Sequence, residues 1–469
     1  MRRDTRHRRR AVRWIAPLLT LALVVAAAAT AYDLGWVENW LDRTPAAAPT
    51  PTPDPWESPV PSPQAVDAAE ASRTPDPAKV RAALAGPLGD TDLGKHVVTE
   101  IAPLYGGAPV LTSGSGAAVP ASTTKLLTSA AALDVLGPET TFATKVVQPA
   151  PGRIVLVGGG DPLLGSKPGK GAYPPRADLR TLAVGTAAAL RKAGATHVRL
   201  GFDDSLFAAP TTSPHWPANY VPDDVVSHIT ALWADQGNDA SGRRVDDPSQ
   251  AAAALFADDL RAQGIAVRGR LVRTHAAGTA VAQVESAPLR EIVTHTLETS
   301  DNDAAEVLAH HVGAKVGGSG SFDGGVAGMV ATLGKLGVPT AGLVLYDGSG
   351  LSREDRITPA TLTGVLRVAA QKPQLAAVLG GLPVAGFTGS LIERFDDPAS
   401  APGLGLVRAK TGTLTGVSSL AGTATDLDGN VMTFVIMADK IAPASTLGAR
   451  RALDDAAAAL ASCHCSSSG

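Results

Sequence analysis

Three short polar motifs, met in a fixed order, constrain this 469-residue chain more than any other feature. Ser122-Thr123-Thr124-Lys125 opens the run STTKLLTSAAALDVL, which reads as a helix from Ser122 to Leu136 ended by Gly137. Positions i and i+3 share a helix face, so the Lys125 amine can lie beside the Ser122 hydroxyl. A serine hydroxyl is a weak nucleophile and needs a base. A lysine can serve once burial or a second cation lowers its pKa. Ser300-Asp301-Asn302 stands just before a helical segment. Lys410-Thr411-Gly412 opens an expected strand whose edge can pair with an extended peptide. Each motif alone has a plain structural reading: the S-x-x-K spacing is common, and Ser, Asp and Asn are favoured helix caps. The weight lies in the set, with helix, loop and strand contexts in that order.

The rest of the chain supplies a core. Apolar residues make up 45% and aromatics only 4%, so that core is built from Ala, Val and Leu. A charged fraction of 18% and a net charge of −3 exclude a disordered polyelectrolyte and give no support to a nucleic-acid binder. Only Cys463 and Cys465 are available, which excludes a disulfide framework and a four-Cys zinc site.

The amino end reads as an export signal or an anchor. Seven Arg in residues 1–13 precede an apolar run at 14–32, nineteen residues that as a helix span about 28 Å. Tyr32, Trp36 and Trp40 repeat like an interfacial aromatic belt and favour a retained anchor; Ala29-Thr30-Ala31 offers a cleavage site after Ala31 as the alternative. Eight Pro within residues 45–63 point to an extended linker.

Short strands are expected at 96–103 and 109–113, and again at 410–414, 418–426 and 431–438, with a closing helix at 446–461. One sheet built from both chain ends is implied. Between them, strands and helices alternate over residues 153–283, as in a small α/β insert. The expected organisation is a cytoplasmic tail and signal-anchor at 1–41, a linker at 42–77, a main α/β domain at 78–146 and 284–462, an inserted domain at 147–283, and a disordered tail at 463–469.

Longer segments carry a family resemblance. VPASTTKLLTSAAAL (119–133), VLVGGGDPLL (155–164), FDDSLF (202–207), VESAPLREIVTHTLETSDNDAAEVL (284–308), LYDGSGLSREDRITP (345–359), LPVAGFTGSLIERF (382–395) and VRAKTGTLTGVSSLAG (407–422) resemble the class C low-molecular-mass penicillin-binding proteins, the D-alanyl-D-alanine carboxypeptidase/endopeptidase family. The resemblance covers about residues 78–460 and implies a penicillin-binding, β-lactamase-like α/β fold with an inserted smaller domain. It implies Ser122 as the acyl-forming nucleophile and Lys125 as its proton acceptor. Ser300 would relay a proton to the leaving amine, Asn302 would contact the substrate amide, and Lys410 would set the electrostatics. Thr411 and Thr413 would bind the terminal carboxylate on either side of Gly412, with the backbone N–H groups of Ser122 and Thr413 as oxyanion hole. The implied substrate is the stem peptide of peptidoglycan, with β-lactams as covalent inhibitors and no cofactor or metal. Family members with larger inserts separate the first two motifs further; here Ser122 and Ser300 are 178 positions apart, so one added domain is expected.

Two alternatives remain at this level: a β-lactamase on the same fold, and a non-catalytic wall-binding protein. The first needs a carboxylate to activate water, and Glu306, Glu354 and Glu393 are the acids after the second motif, none in a familiar context for that base. Asp161, Asp203 and Asp204 read either as a second substrate surface or as turn residues. His310-His311 reads as core or surface histidine, and Cys463-His464-Cys465 as a frayed terminus.

Overall fold

The near-continuous burial along Val97–Pro103, Val417–Thr425 and Val431–Ala438 requires a sheet covered on both faces. In the computed structural model, which describes residues 74–276 and 278–467, that sheet is formed by β1 (Val97–Pro103) and β2 (Leu111–Ser113) with three strands from the far end of the sequence. The apolar segment at 14–32 and the Pro-rich run at 45–63 lie outside the described residues. In chain order there follow β3 (Ala143–Ala150), β4 (Arg153–Val157), β5 (His197–Asp203), β6 (Ala266–Val267), β7 (Val272–Arg273), β8 (Ala280–Glu285), β9 (Val407–Leu414), β10 (Val417–Thr425) and β11 (Val431–Ala438). The first sheet has the order β2-β1-β11-β10-β9, antiparallel throughout.

The period of two is explicit in β11. Val435 and Met437 pack with Leu126, Leu127 and Ala130, while Phe434 and Ile436 pack with Leu453 and Ala456 on the opposite face. The first face is covered by α8 (Pro359–Gln371) with α2 (Lys125–Leu136) behind it, the second by α1 (Pro77–Leu84) and the closing helix, α9 (Thr446–Ala461). Lys125 through Leu133 are all buried, so α2 is enclosed on every side rather than presenting one apolar stripe. A short 3₁₀ turn, Ala121–Thr124, precedes it and carries Ser122.

The second sheet, β6-β5-β4-β3-β8 with β7 beside β5, belongs to the middle of the chain. It is packed by α3 (Leu179–Lys192) and α4 (Pro248–Ala262) through Leu182, Leu190, Phe256 and Leu260. Its first and last strands in chain order begin at Ala143 and end at Glu285, so sequence boundaries drawn at 147 and 283 fall inside strands.

The remaining long helices are α5 (Leu289–Thr299), α6 (Asn302–Val316) and α7 (Phe322–Lys335). Helix α7 has no counterpart in the sequence reading, because Gly324, Gly325 and Gly328 make a poor helix signal. Packing explains them: a Cβ on Gly325 would stand 2.8 Å from the Ala309 carbonyl oxygen, and one on Gly328 3.0 Å from Val312 Cγ1. The closely seated α6 buries His310 and His311 among Phe142, Phe207 and Phe322, so the pair is core.

The carboxyl end departs from the expected frayed tail over residues 463–467. A Cys463–Cys465 disulfide stands in this segment, and Cys465 is fully buried. Its carbonyl accepts from the Asp76 amide at 2.6 Å, and the Ser466 carbonyl accepts from Lys79 Nζ at 2.7 Å. The backbone polar groups of the segment find partners, which is why it is held.

Candidate active site

Ser122 sits at the foot of the central helix because Ala121 turns the chain there with φ = 49°, a left-handed conformation that costs an ordinary residue about 1–2 kcal/mol. Neighbours hold the turn. The Pro120 carbonyl accepts from Ser419 Oγ at 2.6 Å on β10, and Gly412 lies so close that a Cβ would meet Ser419 Oγ at 2.2 Å and the Pro120 oxygen at 2.5 Å. Gly412 is therefore required by the approach of β9 to the nucleophile's turn. Lys410, Thr411 and Gly412 lie within β9 rather than at its start, since the strand begins at Val407. β9 is the sheet's edge strand; its first residues are taken by the 383–385 segment, through Ala385 N to the Val407 carbonyl and Ala409 N to the Pro383 carbonyl.

The fold brings the three motifs together. Lys125 Nζ lies 2.9 Å from Ser122 Oγ, 2.7 Å from Asn302 Oδ1 and 2.9 Å from the Ser349 carbonyl oxygen. Lys410 Nζ donates to Ser300 Oγ at 2.8 Å and to the Thr411 carbonyl at 2.9 Å. Ser300 ends α5 in a left-handed conformation, φ = 61°, which turns its side chain toward β9. Thr411 Oγ1 pairs with Ser390 Oγ at 2.8 Å, and Thr413 is exposed on the strand beyond Gly412.

Both lysines are fully buried. Burial lowers the Lys125 amine to about 8, against the opposing pull of Glu306, Asp347, Asp301 and Asp303. Lys410 is pushed well below its ordinary range by burial and then by the charge of Lys125. Two amines in one dry site disfavour each other's protonation. A neutral Lys125 has two N–H donors and one lone pair. Asn302 Oδ1 and the Ser349 carbonyl are acceptors only and take the two hydrogens, which leaves the lone pair for the Ser122 hydroxyl proton. The arrangement can generate a serine alkoxide equivalent beside an open strand edge.

The middle of the chain holds the second motif in place, a feature with no sequence signal. Asn302 Nδ2 donates to the Val225 carbonyl at 2.9 Å, and the Ser227 amide donates to Asp303 Oδ1 at 2.7 Å. Gln236 Nε2 donates to Asp301 Oδ2 at 2.6 Å, and Arg244 pairs with Asp303 at 2.8 Å. Residues 220–244 carry no helix or strand period, so nothing in the sequence marks them as neighbours of the site. Ser390 was likewise within a quoted segment without an assigned role. Asp203 and Asp204 are occupied structurally: Asp203 accepts from the Ser205 and Ala276 amides, and Asp204 pairs with Arg273.

The chain matches the D-Ala-D-Ala carboxypeptidase 3 (S13) family model over residues 80–240 and 237–460. It is 35% identical over 425 residues to a carboxypeptidase of Mycobacterium tuberculosis, covering 87% of this chain and 90% of that protein. It is 34% identical over 471 residues to the carboxypeptidase DacB of Mycolicibacterium smegmatis, covering 97% and 98%. Among solved structures, penicillin-binding protein 4 of Haemophilus influenzae superposes with a TM-score of 0.65 at 22% identity, over 79% of this chain and 98% of that one, a likeness of fold.

Proposed function

Because the chain belongs to the D-Ala-D-Ala carboxypeptidase 3 (S13) family, we propose that it is a serine DD-peptidase acting on peptidoglycan stem peptides. It cleaves the bond after a D-Ala, whether to a terminal D-Ala or to a cross-linked diamino acid, through an acyl-serine intermediate. The observation that carries this reading is the Lys125 amine 2.9 Å from Ser122 Oγ, with both its hydrogens spoken for.

Ser122 Oγ attacks the carbonyl carbon of the penultimate D-Ala as Lys125 takes the hydroxyl proton. The backbone N–H groups of Ser122 and Thr413 stabilise the oxyanion. The tetrahedral intermediate collapses, the amine leaves with a proton relayed through Ser300, and Lys410 sets the potential along that path. Asn302 and Thr411 bind the substrate amide and carboxylate, and the substrate lies along β9 past Gly412. Water then attacks the ester and returns Ser122. A β-lactam acylates the same oxygen.

The protein works outside the cytoplasm, retained by the apolar segment at 14–32 and held off the membrane by the Pro-rich linker. The main domain comprises 78–142 and 286–462, and the insert 143–285 with β3 and β8 whole within it; its grip on Asp301 and Asp303 supports its counting as part of the catalytic unit.

The test is labelling by a fluorescent penicillin, with turnover of a D-Ala-D-Ala pentapeptide measured beside a cross-linked dimer. Covalent label on the wild type and none on folded Ser122→Ala is expected; label persisting in the variant would move the nucleophile elsewhere.

A further inference from the structure

Glu306 is fully buried on α6, one turn beyond Asn302, and the chemistry above makes no use of it. Its carboxylate accepts from two backbone N–H groups: from Gly348 at 3.1 Å to Oε1 and 3.0 Å to Oε2, and from Ser349 at 2.7 Å to Oε1. The same two residues face the other way toward α2. The Gly348 carbonyl accepts from Thr128 Oγ1 at 2.5 Å, and the Ser349 carbonyl takes a hydrogen of Lys125. Gly348 is pressed onto α6 so closely that a Cβ would stand 2.6 Å from that of Ala309. The 348–349 peptides are thus clamped between two helices, and a buried carboxylate holds one side of the clamp.

We propose that Glu306 is a positioning residue for the reaction at Ser122: by fixing the Ser349 carbonyl against the Lys125 amine, it keeps the amine's lone pair aimed at the nucleophile. A neutral amine free to rotate about its last carbon–nitrogen bond presents the lone pair in any direction. Asn302 alone would fix one hydrogen and leave that rotation partly open. With the Ser349 carbonyl also fixed, only one orientation satisfies both acceptors. Through α6, one helix therefore controls both: Asn302 directly, and Ser349 by way of Glu306.

The charges facing Lys125 are Asp301 at the N-cap of α6, Asp303 and Glu306 on α6, Asp347 from the loop, and the amine of Lys410 from β9. Asp347 and its neighbour Asp355 also face Glu306 across the loop. Burial, and then the charge of Asp347, push the Glu306 carboxyl up to about 8, so it ionises over the same range as Lys125; in its ionised form it holds the Lys125 proton, and removing it leaves the other groups in place and makes Lys125 easier to deprotonate.

The inference rests on the reading of Lys125 as the base for Ser122, and the experiment separates the two. The acylation rate of wild type, Glu306→Gln and Glu306→Asp by a penicillin is measured from pH 5 to 10, with thermal melts on each. Glu306→Gln is expected to acylate about 10- to 100-fold more slowly above the limb, the cost of a misplaced reacting group, and to move the rising limb of its pH–rate profile to lower pH. Glu306→Asp, which keeps an ionisable carboxyl but withdraws it by one methylene, slows acylation with the limb in place, and it carries the test if the glutamine variant fails to fold. Acylation by the folded variants within twofold of wild type, or a uniform loss in Glu306→Gln with an unmoved limb, overturns the inference. A wild type that is not acylated at Ser122 instead overturns the reading beneath it.

Discussion

Lys125 and Lys410 are both buried amines within one site, yet their partners give them different work. Lys125 faces the Ser122 hydroxyl and two acceptors; Lys410 faces Ser300 and a carbonyl. A base must be neutral to accept a proton, and Arg stays protonated in proteins. Lys125→Arg is therefore expected to fold, to bind substrate, and to lose acylation by about 10³-fold or more. Lys410→Arg keeps the charge near Ser300 and should lose less. Stopped-flow acylation of both variants by one β-lactam, with melts as controls, checks the order. The same logic fixes the pH dependence. The neutral form of Lys125 grows as pH rises through about 8, so wild-type acylation climbs across that value, and a rate flat from pH 6 to 10 would contradict Lys125 as the base. Residue identities at this scale are legible in the sequence because hydroxyl, amine and amide each have one obvious use. Their conformations are not. Ala121 and Ser300 adopt left-handed backbone that only the packed neighbours enforce, and Ser349 contributes a main-chain carbonyl, which no side-chain motif can announce.

At the scale of elements, the sheet built from both chain ends is readable because its strands are short, largely apolar runs and the turn at Asp428-Gly429-Asn430 separates the last two. What escaped was held by long-range contact. Helix α7 hides behind glycines that exist for its packing on α6, and the irregular run from Tyr220 to Arg244 has no period to read. Yet that run supplies the partners of Asn302 and Asp303. Arg244 and Asp303 are 9% and 4% exposed in their side chains, so this ion pair is shielded from water. Burial, and then the charge of Asp301, raise Asp303 to about 7, so above pH 8 removing Arg244 strands a buried carboxylate, at a cost of about 3 kcal/mol or more. Arg244→Met should accordingly lower stability by that order in a urea melt and slow acylation by loosening the start of α6. Adding Asp303→Asn removes the stranded charge while an amide oxygen still accepts from Ser227. The double variant is expected to recover much of the loss, and additive losses would show that the two residues do not act as a pair.

For the molecule as a whole, the described chain starts and finishes side by side. Thr74 accepts from the Ser467 amide, Asp76 donates to Cys465, and Lys79 reaches the Ser466 carbonyl. Asn430 and Asp428, at the hairpin between β10 and β11, hold Ser466 from the other side through its hydroxyl and amide. The sequence showed only two cysteines and a Ser-Gly tail here, and the composition of a loose end misled because backbone pairing with residues some 390 positions away has no local signature. The consequence is a stability element separate from the chemistry: none of these residues hydrogen-bonds to Ser122, Lys125, Ser300, Asn302 or Lys410. Deleting residues 463–469 removes several hydrogen bonds worth about 1 kcal/mol each and uncovers the end of α9, so Tm should fall by roughly 5 °C. Acylation by penicillin below the new transition should match the full chain within about twofold, since additivity holds for distant sites. A differential scanning melt and a labelling time course on the same preparations give both numbers. Unchanged Tm would mean the tail's contacts contribute nothing in solution. A large loss of acylation with a small loss of Tm would mean that the packing of α9 on the sheet reaches through β10 to Ser419, and from there to the turn that carries Ser122.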